Sequence, residues 1–396
     1  MNVNKYILNI KHEETLMKNA TLMFSMSLVS AVFSFSSTII FSRFLGPSGY
    51  GVFKTAISLA STAAYVLDMG VRFLFPRYIA EFEGKNQPGN IARLIEKTLL
   101  IKAIFAIVIL ISTWFFSQTI SQIFFHSHDL DTLVWVTMIV FVIIFLDVTI
   151  PILIGYQNFK LVALASILVP FTHIIIGIPL VYILGIKGLL LAAALAFIIG
   201  SIPGIRFIIK KAKREVRLKG FSFKSAVINY SLPAYFSSIP SYIFIIIIPI
   251  LSLFYTQKQV GYYSFSLSFF TAAQLIPITL ANVMFPKVAQ LNAANKTSEA
   301  YKTFKRLIVI YTPIAICGII FSIPIIKPVV SLLAPVFLPA SNIIIYQVIA
   351  SFIMGYFFIA VHYVTAINKL RMATALNWIL SISFGTLAYY LTSLTK

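Results

Sequence analysis

The sequence predicts an all-α polytopic membrane protein, with about eleven transmembrane helices in two pseudo-symmetric bundles. Three observations carry that expectation. Of the 396 residues, 59% are hydrophobic and 11% are charged, less than half the charged share of about 25% found in ordinary soluble domains. Apolar windows long enough to cross a hydrocarbon core of about 30 Å recur along the whole chain. The chain also matches itself at an offset of 210 residues.

In chain order, the apolar windows and their polar breaks place spans at 20–42, 50–75, 96–116, 132–153, 161–183, 187–209, 226–254, 260–286, 305–330, 342–366 and 372–394. Met1 to Lys18 precedes them, polar and mixed in charge. It fits a short interfacial helix better than a cleavable signal, because the apolar run that follows is long and leads into further spans. Gly46-Pro47-Ser48-Gly49-Tyr50-Gly51 is glycine-rich but lacks the lysine of a phosphate loop, so it reads as a turn between spans one and two. Gly155-Tyr156-Gln157-Asn158 is a tight turn between spans four and five.

Prolines concentrate further on: Pro233, Pro240 and Pro249 in span seven, Pro277 in span eight, and Pro313, Pro324 and Pro328 in span nine. Each removes a helix hydrogen bond, which marks span seven as the expected broken or moving helix. The longest polar stretch, Lys210 to Lys224, separates the halves. The expected organisation is a cytoplasmic N-terminal segment (1–19), a six-helix lobe (20–209), a basic linker (210–225) and a five-helix lobe (226–396).

The repeat rests on seven identities between positions 42–77 and their partners 210 residues on: Ser42 with Ser252, Phe44 with Phe254, Gly51 with Gly261, Ser58 with Ser268, Ala63 with Ala273, and Phe75-Pro76 with Phe285-Pro286. The same gapless offset pairs Asn158 with Asn368 and Ala163 with Ala373. Six spans separate the copies, so they insert in the same orientation, the parallel repeat of two-lobed transporters. The partner of span six would occupy 397–419, so the second half is expected to end one helix short, with the C-terminus outside.

Lys and Arg number 31 against 11 Asp and Glu. With a cytoplasmic N-terminus, 25 of the 31 fall in inside connections, Lys102 counted among them. That asymmetry orients the chain in a cytoplasmic membrane and excludes nucleic acid as the partner of the charge. The single Cys317 forms no internal disulfide.

Polar residues crowd symmetric helices. Span one carries Ser34 among seven hydroxyl residues, and span seven Tyr235 and Ser238; spans two and eight add Tyr65, Gln274 and Asn282. For any single Ser or Thr, close helix packing is the simpler account; the symmetric clustering points to a cavity lining. A neutral, hydroxyl-rich, aromatic lining suits sugars. Asp68 and Asp147 are the intramembrane carboxylates and the candidates for ion coupling. Asp68 and Arg72 are spaced for an i,i+4 pair, whereas Asp147 has no partner in sequence. His173 and His362 fit hydrogen-bonded packing. His126-Ser127-His128-Asp129-Leu130-Asp131 reads as a solvated outside loop, and neither a metal site nor a catalytic centre is expected.

The segments Arg43-Phe44-Leu45-Gly46-Pro47-Ser48-Gly49-Tyr50-Gly51, Asp68-Met69-Gly70, Tyr230-Ser231-Leu232-Pro233 and Val260-Gly261-Tyr262-Tyr263 resemble the Wzx-type polysaccharide flippases of the MOP superfamily. The resemblance implies a MATE-like fold, no enzymatic activity, no cofactor, and rocker-switch transfer of polyprenyl-diphosphate-linked oligosaccharides between leaflets. It implies pathway polymerases and glycosyltransferases as partners, besides membrane lipids. It also implies cationic residues that meet the diphosphate, here Arg43 and Arg72, with Lys54 and Arg77 as further candidates. The alternative is a cation-coupled multidrug or small-molecule exporter on the same plan.

Overall fold

The computed structural model describes residues 3–126, 130–212 and 222–394. Among them every regular element is helical. Fourteen α-helices follow one another: α1 (Val3–Val66), α2 (Val71–Gly84), α3 (Pro88–Phe115), α4 (Ser117–Phe125), α5 (Leu130–Leu146), α6 (Thr149–Gly155), α7 (Phe159–Ala212), α8 (Phe223–Ala226), α9 (Leu232–Ser238), α10 (Ile243–Phe254), α11 (Gln257–Ala293), α12 (Thr297–Leu333), α13 (Ser341–Ala366) and α14 (Leu370–Ser393). Residues 213–221, most of the expected basic linker, and residues 127–129 of the expected outside loop are not among the described residues, nor are Met1 and Asn2 at the head of the N-terminal segment.

Among the described residues, six helical stretches are long and apolar enough to cross a membrane, eight if each of two bent helix pairs counts as one span. Two of the six, Thr21–Val66 and Phe159–Lys211, run 46 and 53 residues. At about 1.5 Å per residue each is roughly twice the thickness of a hydrocarbon core. Each is broken at one glycine, Gly46 (φ 63°, ψ 178°) and Gly185 (φ 60°, ψ −134°), so each holds two of the expected spans. Gly46 must adopt a positive φ and precede Pro47, which itself demands the extended ψ; only glycine meets both conditions cheaply. The last expected span, α14, is 24 residues long but is not among the helices apolar enough to qualify; Thr374, Asn377, Ser381, Ser383 and Thr386 dilute it.

The broken helix expected at span seven is broken. Pro233 has no N–H for the carbonyl one turn earlier, and the backbone before it widens into a π turn over Val227–Ser231. Pro240 opens a 3₁₀ turn over Ile239–Tyr242.

Four helix ends share one closing geometry. Asn86, Gln157, Asn295 and Asn368 adopt φ of 55°, 55°, 57° and 62°. The next residue's N–H then reaches the carbonyl five back: Gln87 to Phe82 (2.8 Å), Asn158 to Leu153 (2.9 Å), Lys296 to Leu291 (2.9 Å) and Lys369 to Val364 (3.0 Å). Asn86 and Asn295 are 209 residues apart, and Gln157 and Asn368 are 211. The repeat is therefore present in the turns but not gapless. One-residue slips place an Asn or Gln at each left-handed position, a conformation costly for most side chains.

Two compact units emerge, and each draws on both sequence halves. Met1–Ser37, Ala60–Ser117 and Asp131–Phe236 form one, here unit 1; Thr38–Leu59, Gln118–Leu130 and Ser237–Lys396 form the other, unit 2. Unit 1 has a core of Leu74, Phe75, Ile79 and Phe82 on α2 against Ile91, Leu94, Val148 and Ile152. Gly155 lets α6 approach α2: a Cβ there would stand 2.7 Å from Ile79 Cβ.

In unit 2, Tyr263, Leu267 and Phe270 pack with Met354, Val361, Leu380 and Phe384. Unit 2 also contains a reciprocal crossing of the two repeats. A Cβ on Gly51 would meet the Gln257 carbonyl at 1.8 Å, and one on Gly261 would meet the Pro47 carbonyl at 1.9 Å. Gln257 is the 210-residue partner of Pro47, so the contact is its own mirror within the repeat. Large apolar side chains are widely exposed, Trp114 at 77% and Leu332 at 75% among them. Water would make this a liability, whereas lipid tails make it ordinary; the chain is a multi-pass membrane protein.

Candidate functional site

The polar chemistry of unit 1 converges on two helix breaks. The first interrupts the expected span two. α1 ends at Val66, and Met69 (φ 48°) and Gly70 (φ 81°) turn the chain through left-handed conformations before α2 begins. A break orphans carbonyls, and two side chains from the seventh span accept the task of satisfying them. Tyr235 Oη donates to the Val66 carbonyl (3.4 Å) and Ser231 Oγ to that of Met69 (2.8 Å). Gly70 has no room for a side chain, since a Cβ would lie 2.2 Å from the Ser231 carbonyl oxygen. The second break falls between α5 and α6.

Each break carries a carboxylate, Asp68 in the first and Asp147 in the second. Lys102, from the uninterrupted α3, joins them. Its Nζ lies 2.7 Å from Asp147 Oδ1 and 3.5 Å from Asp68 Oδ1. Arg72 Nε completes the cluster 3.3 Å from Asp68 Oδ2. The Lys102 and Asp68 side chains are 2% exposed, Asp147 22% and Arg72 37%. Two acids and two bases balance, which is the condition under which buried charge survives in a low-dielectric interior. The aromatic groups continue the cluster outward. The Arg72 guanidinium lies 5.4 Å from the Tyr65 ring centroid, and Tyr65 lies 5.2 Å from Tyr235.

The structure thus brings together Tyr65, Asp68, Arg72, Asp147 and Tyr235. It adds Lys102, which the charge count had assigned to an inside connection; that assignment is corrected, because the side chain is buried between two spans' carboxylates. Asp147, unpaired in sequence, is paired in space. A basic residue set into an apolar run, Leu99-Leu100-Ile101-Lys102, was the available signal, since a buried lysine requires an acid.

The remaining candidates lie elsewhere. Ser34 is exposed on α1. In unit 2, Arg43 is exposed and donates to the Leu332 carbonyl (3.3 Å), Asn282 is exposed, and Ser238 is half-buried. Gln274 is buried and donates to the Ser351 carbonyl (3.0 Å), while Lys54 lies 5.4 Å from the Tyr50 ring centroid. Many hydroxyls bond a carbonyl of their own helix, as Ser25 does to Thr21 and Ser27 to Met23; packing explains those without a cavity. His173 Nδ1 meets Ser37 Oγ (3.2 Å) and His362 Nδ1 meets the Phe358 carbonyl (2.8 Å), as expected of packing histidines. At the loop expected outside, His126 Nε2 donates to the Ser252 carbonyl (2.8 Å).

A family model described as polysaccharide biosynthesis protein matches residues 16–292, more than half of the chain. The chain belongs to this family. As a polysaccharide biosynthesis family protein it is similar in fold to solved transporters. An inward-facing multidrug-resistance MATE transporter of the MOP superfamily aligns with TM-score 0.73 at 13% identity, covering 95% of this chain and 94% of that one. The lipid II flippase MurJ, in an inward closed conformation, aligns with TM-score 0.72 at 16% identity over 95% and 85%. A point mutant of the Vibrio cholerae MATE transporter VcmN aligns with TM-score 0.62 at 14% identity over 96% and 93%. These likenesses establish the MATE-like fold. No curated protein matches in sequence.

Proposed function

We propose that this protein flips polyprenyl-diphosphate-linked oligosaccharide repeat units from the inner to the outer leaflet of the cytoplasmic membrane, by alternating access of two lobes, 20–209 and 226–396. Family membership supports the pathway, and a neighbouring fold whose name includes lipid II flippase supports the class of cargo. The observation that carries the choice is the bridged cluster. In a cation-coupled exporter the intramembrane carboxylates must be free to take the coupling ion. Here Lys102 already stands between Asp68 and Asp147, an internal cation in the place a proton or sodium ion would occupy. The cluster then acts as a latch that holds three helices of unit 1 together, and the half-buried Tyr235 beside it offers its ring to sugar.

The test is leaflet-resolved. The full chain is reconstituted in vesicles with a fluorescent polyprenyl-diphosphate disaccharide, and transfer is read by quenching from one side. Transfer above that of protein-free vesicles is expected, with no requirement for a sodium or proton gradient. Absence of transfer, together with gradient-driven drug export abolished by Asp147→Asn, would replace this reading with the multidrug alternative.

A further inference from the structure

α11 and α13 pack against each other within unit 2, and a polar strip runs along their contact. On α13, Gln347 and Ser351 stand one turn apart, both fully buried. Ser351 is satisfied from α11: its Oγ donates to the Phe270 carbonyl (3.2 Å), and its own carbonyl accepts from Gln274 Nε2 (3.0 Å). Gln347 is not satisfied. It is 0% exposed, and among the described residues neither its amide nitrogen nor its amide oxygen has a hydrogen-bond partner. Across the contact Tyr263 of α11, also 0% exposed, turns its hydroxyl toward the Gln347 side chain, and that hydroxyl is unpartnered too. The side chains packed with Tyr263, Leu267, Phe270 and Met354 among them, are apolar and offer no substitute.

A buried amide or hydroxyl without a partner forfeits the bonds it made with water before folding, so native interiors rarely keep such atoms bare. Their chemistry fixes what would satisfy them. The amide nitrogen only donates, the amide oxygen only accepts, and the tyrosine hydroxyl does both. A direct bond between Gln347 and Tyr263 would satisfy one amide atom and leave the other. Exchanging the amide nitrogen and oxygen changes nothing, because both are unpartnered. A metal cation would suit the two oxygens and be repelled by the amide hydrogens, and an anion would leave the amide oxygen bare. The occupant must donate and accept at once and be small enough for a fully enclosed place, which leaves water.

We infer that ordered water is bound between Gln347 and Tyr263 in the interior of unit 2, accepting from the amide nitrogen, donating to the amide oxygen and bonded to the Tyr263 hydroxyl. The contact of α11 with α13 is then bridged by solvent at this level, whereas one turn on, at Ser351, it is bonded directly. The site does not depend on which cargo the protein carries.

The experiment uses the radicals that an X-ray pulse makes from water, which oxidise the side chains beside a bound molecule and spare those in dry surroundings. The full chain in nanodiscs is irradiated, and tyrosine oxidation is read by peptide mass spectrometry. Tyr311 is the internal control, since it is 0% exposed and its hydroxyl donates directly to the Phe352 carbonyl (2.7 Å). Tyr263 is expected to be oxidised several-fold faster than Tyr311. Gln347→Leu removes both amide atoms and is expected to bring Tyr263 down to the Tyr311 rate. Gln347→Met, which keeps the unbranched shape, is expected to show the same loss and serves if the leucine variant does not fold. Equal rates for Tyr263 and Tyr311 in the wild type overturn the inference. So does fast oxidation of Tyr263 that removal of the amide leaves unchanged, which would mean that bulk solvent reaches the ring.

Discussion

Lys102 shows what a residue can do that its sequence neighbourhood conceals. With 2% of its side chain exposed and two carboxylates within 3.5 Å, it cannot be removed alone without leaving an uncompensated negative charge in the bundle. Lys102→Met is therefore expected to cost roughly 3–5 kcal/mol of stability, read as a lowered melting temperature of the protein in detergent. The double variant Lys102→Met/Asp147→Asn leaves only the Asp68–Arg72 pair, which is neutral, and is expected to recover most of the loss. A double variant as unstable as the single one would mean that the lysine matters for packing and not for charge. The two acids were legible in the sequence because carboxylates in spans are rare. Their partner was not, because Lys102 sits close enough to a span's end to be counted with the interfacial basics, and the bridge depends on breaks in two other helices.

At the scale of elements, Gly70 is where a span's break meets another helix. Its φ of 81° excludes most side chains, and the Ser231 carbonyl fills the space a Cβ would need. Gly70→Ala is expected to cost about 1–3 kcal/mol and to lower the yield of folded protein. Gly84→Ala, in the last turn of the same helix with nothing within 4 Å of the added atom, is expected to be neutral or mildly stabilising. Similar melting temperatures for the two variants would show that the docked break is not a fixed feature. Span positions and the broken seventh span could be read from hydropathy and proline, since both act locally. The break at residues 67–70 could not, because Asp68-Met69-Gly70 interrupts an apolar run for only a few residues, and its geometry is set by Ser231 and Tyr235, more than 160 residues away. The repeat was readable as one offset but not as slips of one residue, which the left-handed Asn and Gln positions reveal.

For the whole molecule, charge asymmetry makes a claim about topology that can be checked without a ligand. With the buried Lys102 set aside, 24 of the 31 basic residues fall on the side taken as cytoplasmic, and loops rich in Lys and Arg are retained there. Lys85 and Lys296 lie at the first and third of the four matching turns and are exposed; Lys258 lies at the start of α11, the end opposite Lys296, and is exposed too. Cys317 is the chain's one cysteine, so Cys317→Ser gives a blank background. On it, Lys258→Cys is expected to react with a membrane-impermeant maleimide in intact cells, and Lys85→Cys and Lys296→Cys only after the membrane is opened. The ion pairs these lysines make with Glu81 and Glu299 are exposed and contribute little, so the substitutions leave the fold intact. The paired inside positions matter because a parallel repeat requires Lys85 and Lys296 to share a side. Labelling of one without the other would break the repeat itself, whereas labelling of both from outside would keep the repeat and invert the direction proposed for transport.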